Sequence, residues 1–189
     1  FIFIFFFFRI LIGKEDKNRF LEKFIFISKK RPLGNLIWFH ACSVGEVRSA
    51  YTLIKSFSKN NNKILVTTNT YLSALDVKKN FTKNVIHQYL PLDLSFFIKK
   101  FLNHWRPNKA VFVESEIWPN LIFNAHKSKI PLFLIQARFS NTSLKRWKLF
   151  KSFFESILNK FSLIIPQSLL DKNNLENYTK NSMDIVANL

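Results

Sequence analysis

Short apolar runs alternate with longer amphipathic stretches over most of the chain. Unalternated apolar runs suit strands that are buried on both faces of a sheet. The runs that predict strands are Leu36–Phe39, Ile64–Thr67, Val85–Leu90, Ala110–Val113, Pro131–Ile135 and Leu163–Pro166. The stretches that predict helices are Glu46–Ser58, Tyr71–Asn80, Leu94–Trp105, Ile117–Lys127, Ser143–Lys160 and Ser168–Tyr178. This alternation predicts an α/β domain over residues 36–189, with a parallel sheet and right-handed crossovers.

The first residues follow a different pattern. Residues 1–12 read FIFIFFFFRILI and are apolar except for Arg9. As a helix this stretch would be about 18 Å long, which is too short to cross a bilayer core of about 30 Å. We expect residues 1–13 to be the remnant of a membrane anchor, with a signal-peptide remnant or an interfacial helix as the alternatives.

Residues 14–35 form a basic segment before the domain. Its Lys and Arg residues point to the cytoplasmic side of a membrane. Residues 14–30 fit a basic amphipathic helix, and Arg31–Asn35 supply breaker residues. Because the chain starts at Phe1 and stops at Leu189 straight after an apolar run, we expect the natural protein to be longer.

The excess of basic residues limits the classes of binding partner but does not select one of them. The chain has 29 Lys and Arg against 12 Asp and Glu, a formal net charge of +17. Such a field attracts phosphates, nucleic acid or an anionic membrane surface. Much of the positive charge comes from Lys residues scattered among Asn, Ile and Phe, and biased codon usage would produce the same mixture without selection for a ligand.

The single cysteine, Cys42, permits no internal disulfide and fits the role of a small buried core residue.

The first candidate site follows the first predicted strand, where the chain reads His40–Glu46. In parallel α/β sheets, ligands bind beyond the carboxyl ends of the strands. Ser43 and Glu46 fit a capping box, in which the glutamate reaches back to the serine N–H. Gly45 would let a ligand approach the turn closely, and Glu46 is placed to act as a general base. With no ligand spacing nearby, His40 suits the core better than a metal site.

A second candidate site follows the strand Ala110–Val113. Ser115 and Glu116 fit helix capping, but capping does not explain Glu114 at the end of a buried strand. Carboxylates from two strand ends can share one polar substrate.

Arg138 follows the next strand and suits a phosphate or carboxylate, although an ion pair with Glu114 or Glu116 is an equal alternative. The sequence contains no GxxxxGK[ST] loop, GxGxxG fingerprint or CxxC pair.

In order along the chain, these segments resemble the N-terminal domain of the 3-deoxy-D-manno-octulosonic acid (Kdo) transferases. The SVGE string at Ser43–Glu46 and the ESEIWPNL string at Glu114–Leu121 are the most specific. The other matching segments are Gly13–Glu15, Ile37–Cys42, Thr67–Thr70, Leu90–Leu94, Ala137–Ser140, Gln167–Ser168 and Ala187–Leu189.

The resemblance implies the Rossmann-like N-terminal half of a two-domain GT-B enzyme, which binds the acceptor. Such an enzyme transfers Kdo from CMP-Kdo to a lipid A precursor, lipid IVA, with inversion and without a cofactor or metal ion. It would work at the cytoplasmic face of the inner membrane, without nucleic acid. This chain alone would be inactive, because the CMP-Kdo domain is missing.

By the same resemblance, Glu46 is the catalytic base. The expected acceptor-binding residues are Ser43, Gly45, Glu114, Glu116 and Arg138.

The chain departs from the family pattern at Gln136, Phe139 and Asn141–Ser143, and a glycine is missing near Leu72. Two alternatives stay open: a GT-B enzyme with another acceptor, and a non-catalytic basic module that binds membranes or nucleic acid.

Overall fold

A parallel sheet forms the centre of the computed structural model, which describes residues 8–27, 29–60, 62–81, 84–181 and 183. Within these residues the sheet has six strands in the order β3-β2-β1-β4-β5-β6, and every neighbouring pair is parallel. The strands are β1 Leu36–His40, β2 Lys63–Thr68, β3 Val85–Tyr89, β4 Lys109–Val113, β5 Leu132–Ala137 and β6 Leu163–Pro166. The predicted α/β fold class is confirmed.

Helices cover both faces of the sheet. They are α1 Val44–Ser49, α2 Tyr51–Lys59, α3 Tyr71–Asn80, α4 Ser95–Trp105, α5 Pro119–Lys127, α6 Asn141–Lys148, α7 Lys151–Leu158 and α8 Leu169–Glu176. Two predicted helices are each divided into two. One break lies at Ala50 and the other at Leu149 and Phe150, which are 79% and 65% exposed and so gain no packing from a continued helix.

The central strand β1 shows why the strands are apolar throughout. Leu36 and Trp38 belong to the core on one face of the sheet, while Ile37 and Phe39 belong to the core on the other face. Trp38 packs against Phe101 with ring centroids 5.0 Å apart. A strand buried on both faces cannot alternate apolar with polar residues, because neither face meets solvent.

The N-terminal segment differs from its prediction. The amphipathic helix expected over residues 14–30 is wrong for the part that the structure describes, where only a 3-10 helix, Phe20–Phe24, forms. Its charged residues face inward: Lys23 Nζ lies 2.7 Å from Glu15 Oε1, and Glu22 Oε2 accepts from the backbone N–H of Tyr89 on edge strand β3. These partners hold the segment against the sheet, which a solvated helix would not allow.

The anchor expected over residues 1–13 lies partly outside the described residues. Residues 8–11 are helical. None of the helices formed by the described residues has the length and apolar character needed to cross a membrane.

Asp93 caps helix α5 from another loop. Its carboxylate accepts from the backbone N–H groups of Asn120, at 3.1 Å, and Leu121, at 2.8 Å. The capping expected from Ser115 and Glu116 is therefore wrong, because both lie before Trp118, the N-cap residue, which makes no side-chain cap bond.

We expect Asp93→Ala to lower the free energy of unfolding by about 1–2 kcal/mol, because two N–H groups of the first turn lose their acceptor. Urea unfolding measures the change. Asp93→Asn keeps one acceptor oxygen and should fall between the alanine variant and the wild type. An alanine variant as stable as the wild type would contradict the capping role.

Candidate active site

The loops after β1 and β4 meet at the point where the strand order reverses. β1 is followed in the chain by β2 on one side, whereas β4 is followed by β5 on the other side. In doubly wound sheets, a crevice opens at the carboxyl ends of two such strands and binds ligands. The two acidic segments found in the sequence are therefore brought together at this edge.

Glu46 lies in the first turn of α1 and bends back over the loop. Ser43 Oγ accepts from the Glu46 N–H at 3.2 Å, as the capping box predicts. The return contact differs from the prediction, because Glu46 Oε2 accepts from the N–H of Cys42, at 2.7 Å, and not from that of Ser43. Gly45 is exposed, and a Cβ placed there would meet only Ser43 Oγ, at 3.8 Å. The helix start is thus open to solvent beside a carboxylate of fixed orientation.

Glu116 connects the two loops. Its Oε2 accepts from the Cys42 thiol at 2.5 Å and from Trp118 Nε1 at 2.6 Å, and it lies 3.3 Å from His40 Nε2. Burial raises the pKa of Glu116, but the contacts with His40, Cys42 and Trp118 outweigh it and hold the pKa below the usual range. Its predicted contact with the acceptor stays a prediction, and these contacts favour a positioning role.

The thiol of Cys42 is a donor in this network. Burial, followed by the charge of Glu116, raises its pKa far above the usual range, so the thiol stays protonated. Because the thiolate is the reactive form, Cys42 is poorly suited to act as a nucleophile.

His40, Cys42 and Glu116 also bring ligand atoms of the types that zinc accepts within 4.8 Å of one another. The sequence showed no partner for His40, because Glu116 is distant along the chain. Contacts within the cluster already engage these atoms. His40 Nε2, for example, lies 3.3 Å from Glu116 Oε2, while His40 Nδ1 lies 2.9 Å from Thr67 Oγ1 on β2.

We expect Glu116→Gln to destabilise the protein by about 1–3 kcal/mol at neutral pH, because a buried charge-assisted network is lost. The folded pKa of Glu116 is lowered, so its ionised form adds stability above the unfolded value of about 4.3. This contribution disappears as the pH falls through the folded pKa. The difference between variant and wild type should therefore be full at pH 7 and smaller in acid.

Urea unfolding at several pH values tests this pH dependence. Glu155→Gln, in the partly exposed pair with Lys151 at 3.6 Å, is the matched control and should show little difference from the wild type at any pH. If the difference in unfolding free energy between Glu116→Gln and the wild type stays constant with pH, the ionised Glu116 carboxylate does not stabilise the fold.

Glu114 and Arg138 complete the acidic edge. Glu114 directly follows β4 and has a positive φ of 60°, and the pKa of its half-buried carboxyl is raised by burial and then by the charge of Glu46. Arg138 opposes this shift. Within the described part of the chain, no ion pair of 4.0 Å or less joins Arg138 to Glu114 or Glu116, so that alternative is not supported. Arg138 is exposed and keeps its donors for a ligand.

A cavity of about 340 Å³ lies beside these loops. It is lined by Arg9, Glu15, Lys23, Asn69, Leu90, Pro91, Leu92, Asp93 and Trp118. Asn69 connects it to the site, because Asn69 Nδ2 lies 2.8 Å from Cys42 Sγ. Sequence reasoning missed Arg9 and Lys23 as lining residues. For Arg9 the available signal was a single charge within an apolar stretch, whereas Lys23 lies in the basic segment and had no such signal.

The fold and the position of the site define the class: an α/β domain of the Rossmann-like kind, as found in one half of the two-domain GT-B fold. Two solved structures share this fold. UDP-GlcNAc 2-epimerase from Neisseria meningitidis aligns with a TM-score of 0.56 and 15% identity, over 81% of this chain and 46% of that one. MurG from Acinetobacter baumannii aligns with a TM-score of 0.52 and 11% identity, over 81% of this chain and 44% of that one.

The family is shown by sequence. Residues 18–189 match the family model described as 3-deoxy-D-manno-octulosonic-acid transferase (kdotransferase), and the chain belongs to this family. The 3-deoxy-D-manno-octulosonic acid transferase of Rickettsia bellii is 42% identical over 171 residues, which cover 89% of this chain. They cover 41% of the relative, so this chain spans less than half its length.

Proposed function

We propose that this chain is the acceptor-binding half of an inverting glycosyltransferase that moves Kdo from CMP-Kdo to a lipid A precursor, lipid IVA, in lipopolysaccharide core synthesis. The enzyme would work at the cytoplasmic face of the inner membrane. The observation that carries the proposal is the Glu46 carboxylate, held at the reversal point of the sheet in a chain of the Kdo transferase family.

Glu46 is suited to the role of general base. Its Oε2 holds the N–H of Cys42, while its Oε1 has no hydrogen-bond partner among the described residues. Oε1 would accept the proton of an acceptor hydroxyl as the hydroxyl oxygen attacks the anomeric carbon of Kdo. The bond from that carbon to the CMP phosphate breaks, CMP leaves with the electron pair, and the anomeric centre inverts. No cofactor or metal ion takes part in this proposal.

The acceptor would lie against the acidic edge and the adjoining cavity. Ser43 and Gly45 form the open helix start, and Glu114 is placed to hydrogen-bond a sugar hydroxyl. Arg138, which is exposed and makes no ion pair of 4.0 Å or less with Glu114 or Glu116 among the described residues, suits a phosphate of the acceptor. The CMP-Kdo donor would bind a C-terminal domain outside these residues, and we expect transfer only when that domain is joined.

A chimera tests the function. This chain is joined to the C-terminal part of the Rickettsia bellii relative and assayed with CMP-Kdo and lipid IVA. We expect Kdo-bearing lipid to form, while the C-terminal part alone should form none. A folded chimera that binds CMP-Kdo but transfers nothing to lipid IVA would contradict the acceptor. Transfer to another acceptor would then support a different GT-B enzyme.

A further inference from the structure

A second cavity, of about 400 Å³, lies at the β3 edge of the sheet, between the N-terminal segment and helix α3. Its lining contains four residues that can carry positive charge and no carboxylate. The lining residues are Arg19, Lys29, Lys78 and His87, with Ala74, Val77, Phe81 and Val85 as the apolar part. The cavity beside the candidate active site, by contrast, contains Glu15 and Asp93.

The cations of this cavity keep unused donors. Arg19 forks onto Glu22 at 2.8 and 2.9 Å and donates to the His87 carbonyl at 3.0 Å, but its Nη1 has no partner in the described part of the chain. Lys29 Nζ donates once, to the same carbonyl, at 3.2 Å. Lys78 has no ion pair or side-chain hydrogen bond among the described residues. The His87 carbonyl on edge strand β3 therefore uses only some of the N–H donors that these three cations provide.

His87 adds a buried polar atom to the site. Its side chain is 6% exposed, and its Nε2 lies 2.9 Å from Thr68 Oγ1. Its Nδ1 is buried without a hydrogen-bond partner among the described residues. Buried unpaired polar atoms are uncommon in folded proteins. Burial, and then the charges of Arg19 and Lys29, lower the pKa of His87, so the imidazole is kept in its neutral form.

We propose that this cavity binds the phosphate group of an organic phosphate. Arg19, Lys29 and Lys78 supply charged donors for the phosphate oxygens, which suit such groups. Val77, Phe81 and Val85 supply the apolar wall for the carbon part of the ligand. The phosphate belongs either to a soluble ester or to a phospholipid headgroup, since both present the same chemistry. The proposal does not rest on the transferase function.

Two double variants with equal charge change test the site. Lys29→Gln/Lys78→Gln removes lining charges, whereas Lys30→Gln/Lys79→Gln removes exposed charges one residue away that do not line the cavity. Glycerol 3-phosphate is titrated into each protein by calorimetry. We expect the lining variant to raise the Kd by about tenfold or more, because charge-assisted hydrogen bonds are lost. The control should raise it by about twofold at most, through screened long-range charge.

A second experiment, with lipid vesicles, distinguishes a soluble phosphate ester from a phospholipid headgroup. Binding to phosphatidylglycerol vesicles, with phosphatidylcholine vesicles as the blank, is measured by sedimentation for the same proteins. A lipid source predicts that the lining variant loses more vesicle binding than the control, and a soluble source predicts equal losses. The proposal is overturned if both variants weaken both probes equally, or if the wild type binds neither probe saturably.

The imidazole of His87 gives a readout that diffuse charge would not move. Glycerol 3-phosphate should shift the ring resonances of His87 and leave those of exposed His126 in place. Because all four lysines are exposed, the glutamine variants should keep the fold, and circular dichroism would test this independently. Saturable binding without a His87 shift would place the ligand elsewhere and overturn the site.

Discussion

Replacing Glu46 with glutamine is expected to lower Kdo transfer by the chimera about a hundredfold to ten-thousandfold, the range for loss of a general base. The amide cannot take the proton of the attacking hydroxyl, but its oxygen can still accept the N–H of Cys42, which the carboxylate now holds at 2.7 Å. The loop geometry should therefore survive while the chemistry fails. Initial rates at saturating lipid IVA measure the effect on kcat.

The control separates catalysis from helix capping. Asp171 in α8 occupies the same helix position as Glu46 in α1, because each lies three residues after an N-cap serine. The Asp171 N–H donates to Ser168 Oγ at 3.1 Å. Asp171→Asn should leave the transfer rate unchanged. Full activity of a folded Glu46→Gln chimera would reduce Glu46 to a helix cap and remove the proposed base.

Replacing Lys23 with methionine is expected to lower the free energy of unfolding by about 3–5 kcal/mol, the usual cost of breaking a buried ion pair. The Glu15 side chain is fully buried, so among the described residues its charge would keep only Arg9, at 3.2 Å, as an ion-pair partner. Burial lowers the pKa of Lys23, although Glu15 favours the charged form. Urea unfolding measures the loss.

A second substitution identifies the cause. Lys23→Met/Glu15→Gln removes both charges and should recover much of the lost stability, since no carboxylate is left without its ammonium partner. Lys172→Met, in the partly exposed pair with Glu176 at 3.7 Å, should cost less than about 1 kcal/mol. If the double variant is no more stable than Lys23→Met, the loss reflects packing and not charge.

The sheet could be predicted because its strands are buried on both faces, so each forms an unbroken apolar run. The bounds of α3 and β6 agree with the prediction at both ends. The division at Leu149 and Phe150 was missed, because exposed apolar residues imitate the periodicity of a buried helix face. The N-terminal segment was missed for the opposite reason: its charged residues face inward towards partners that are distant in sequence.

The position of the site could be predicted from the sequence, but its hydrogen-bond partners could not. Glu46 and Glu114 follow buried strands, and parallel strands bring their carboxyl ends to one edge. Nothing in the sequence shows that Glu116 would turn towards Cys42, 74 positions away. Nor does it predict positive φ angles at Glu114 and Gln136, where the chain leaves β4 and where β5 bulges. Such backbone strain depends on tertiary packing and clusters at functional sites.

Lys23 also holds the N-terminal segment against the edge of the sheet that carries the candidate active site. Its Nζ donates to the Asn69 carbonyl at 3.0 Å, and its own carbonyl accepts from Leu92 at 3.0 Å. These contacts hold the N-terminal segment directly against the domain, so it does not act as a flexible linker. If a membrane holds the residues before Phe8, the same contacts fix which edge of the sheet faces it. The search for a lipid acceptor would then be a two-dimensional encounter, with the loop of the proposed base Glu46 already turned towards the bilayer.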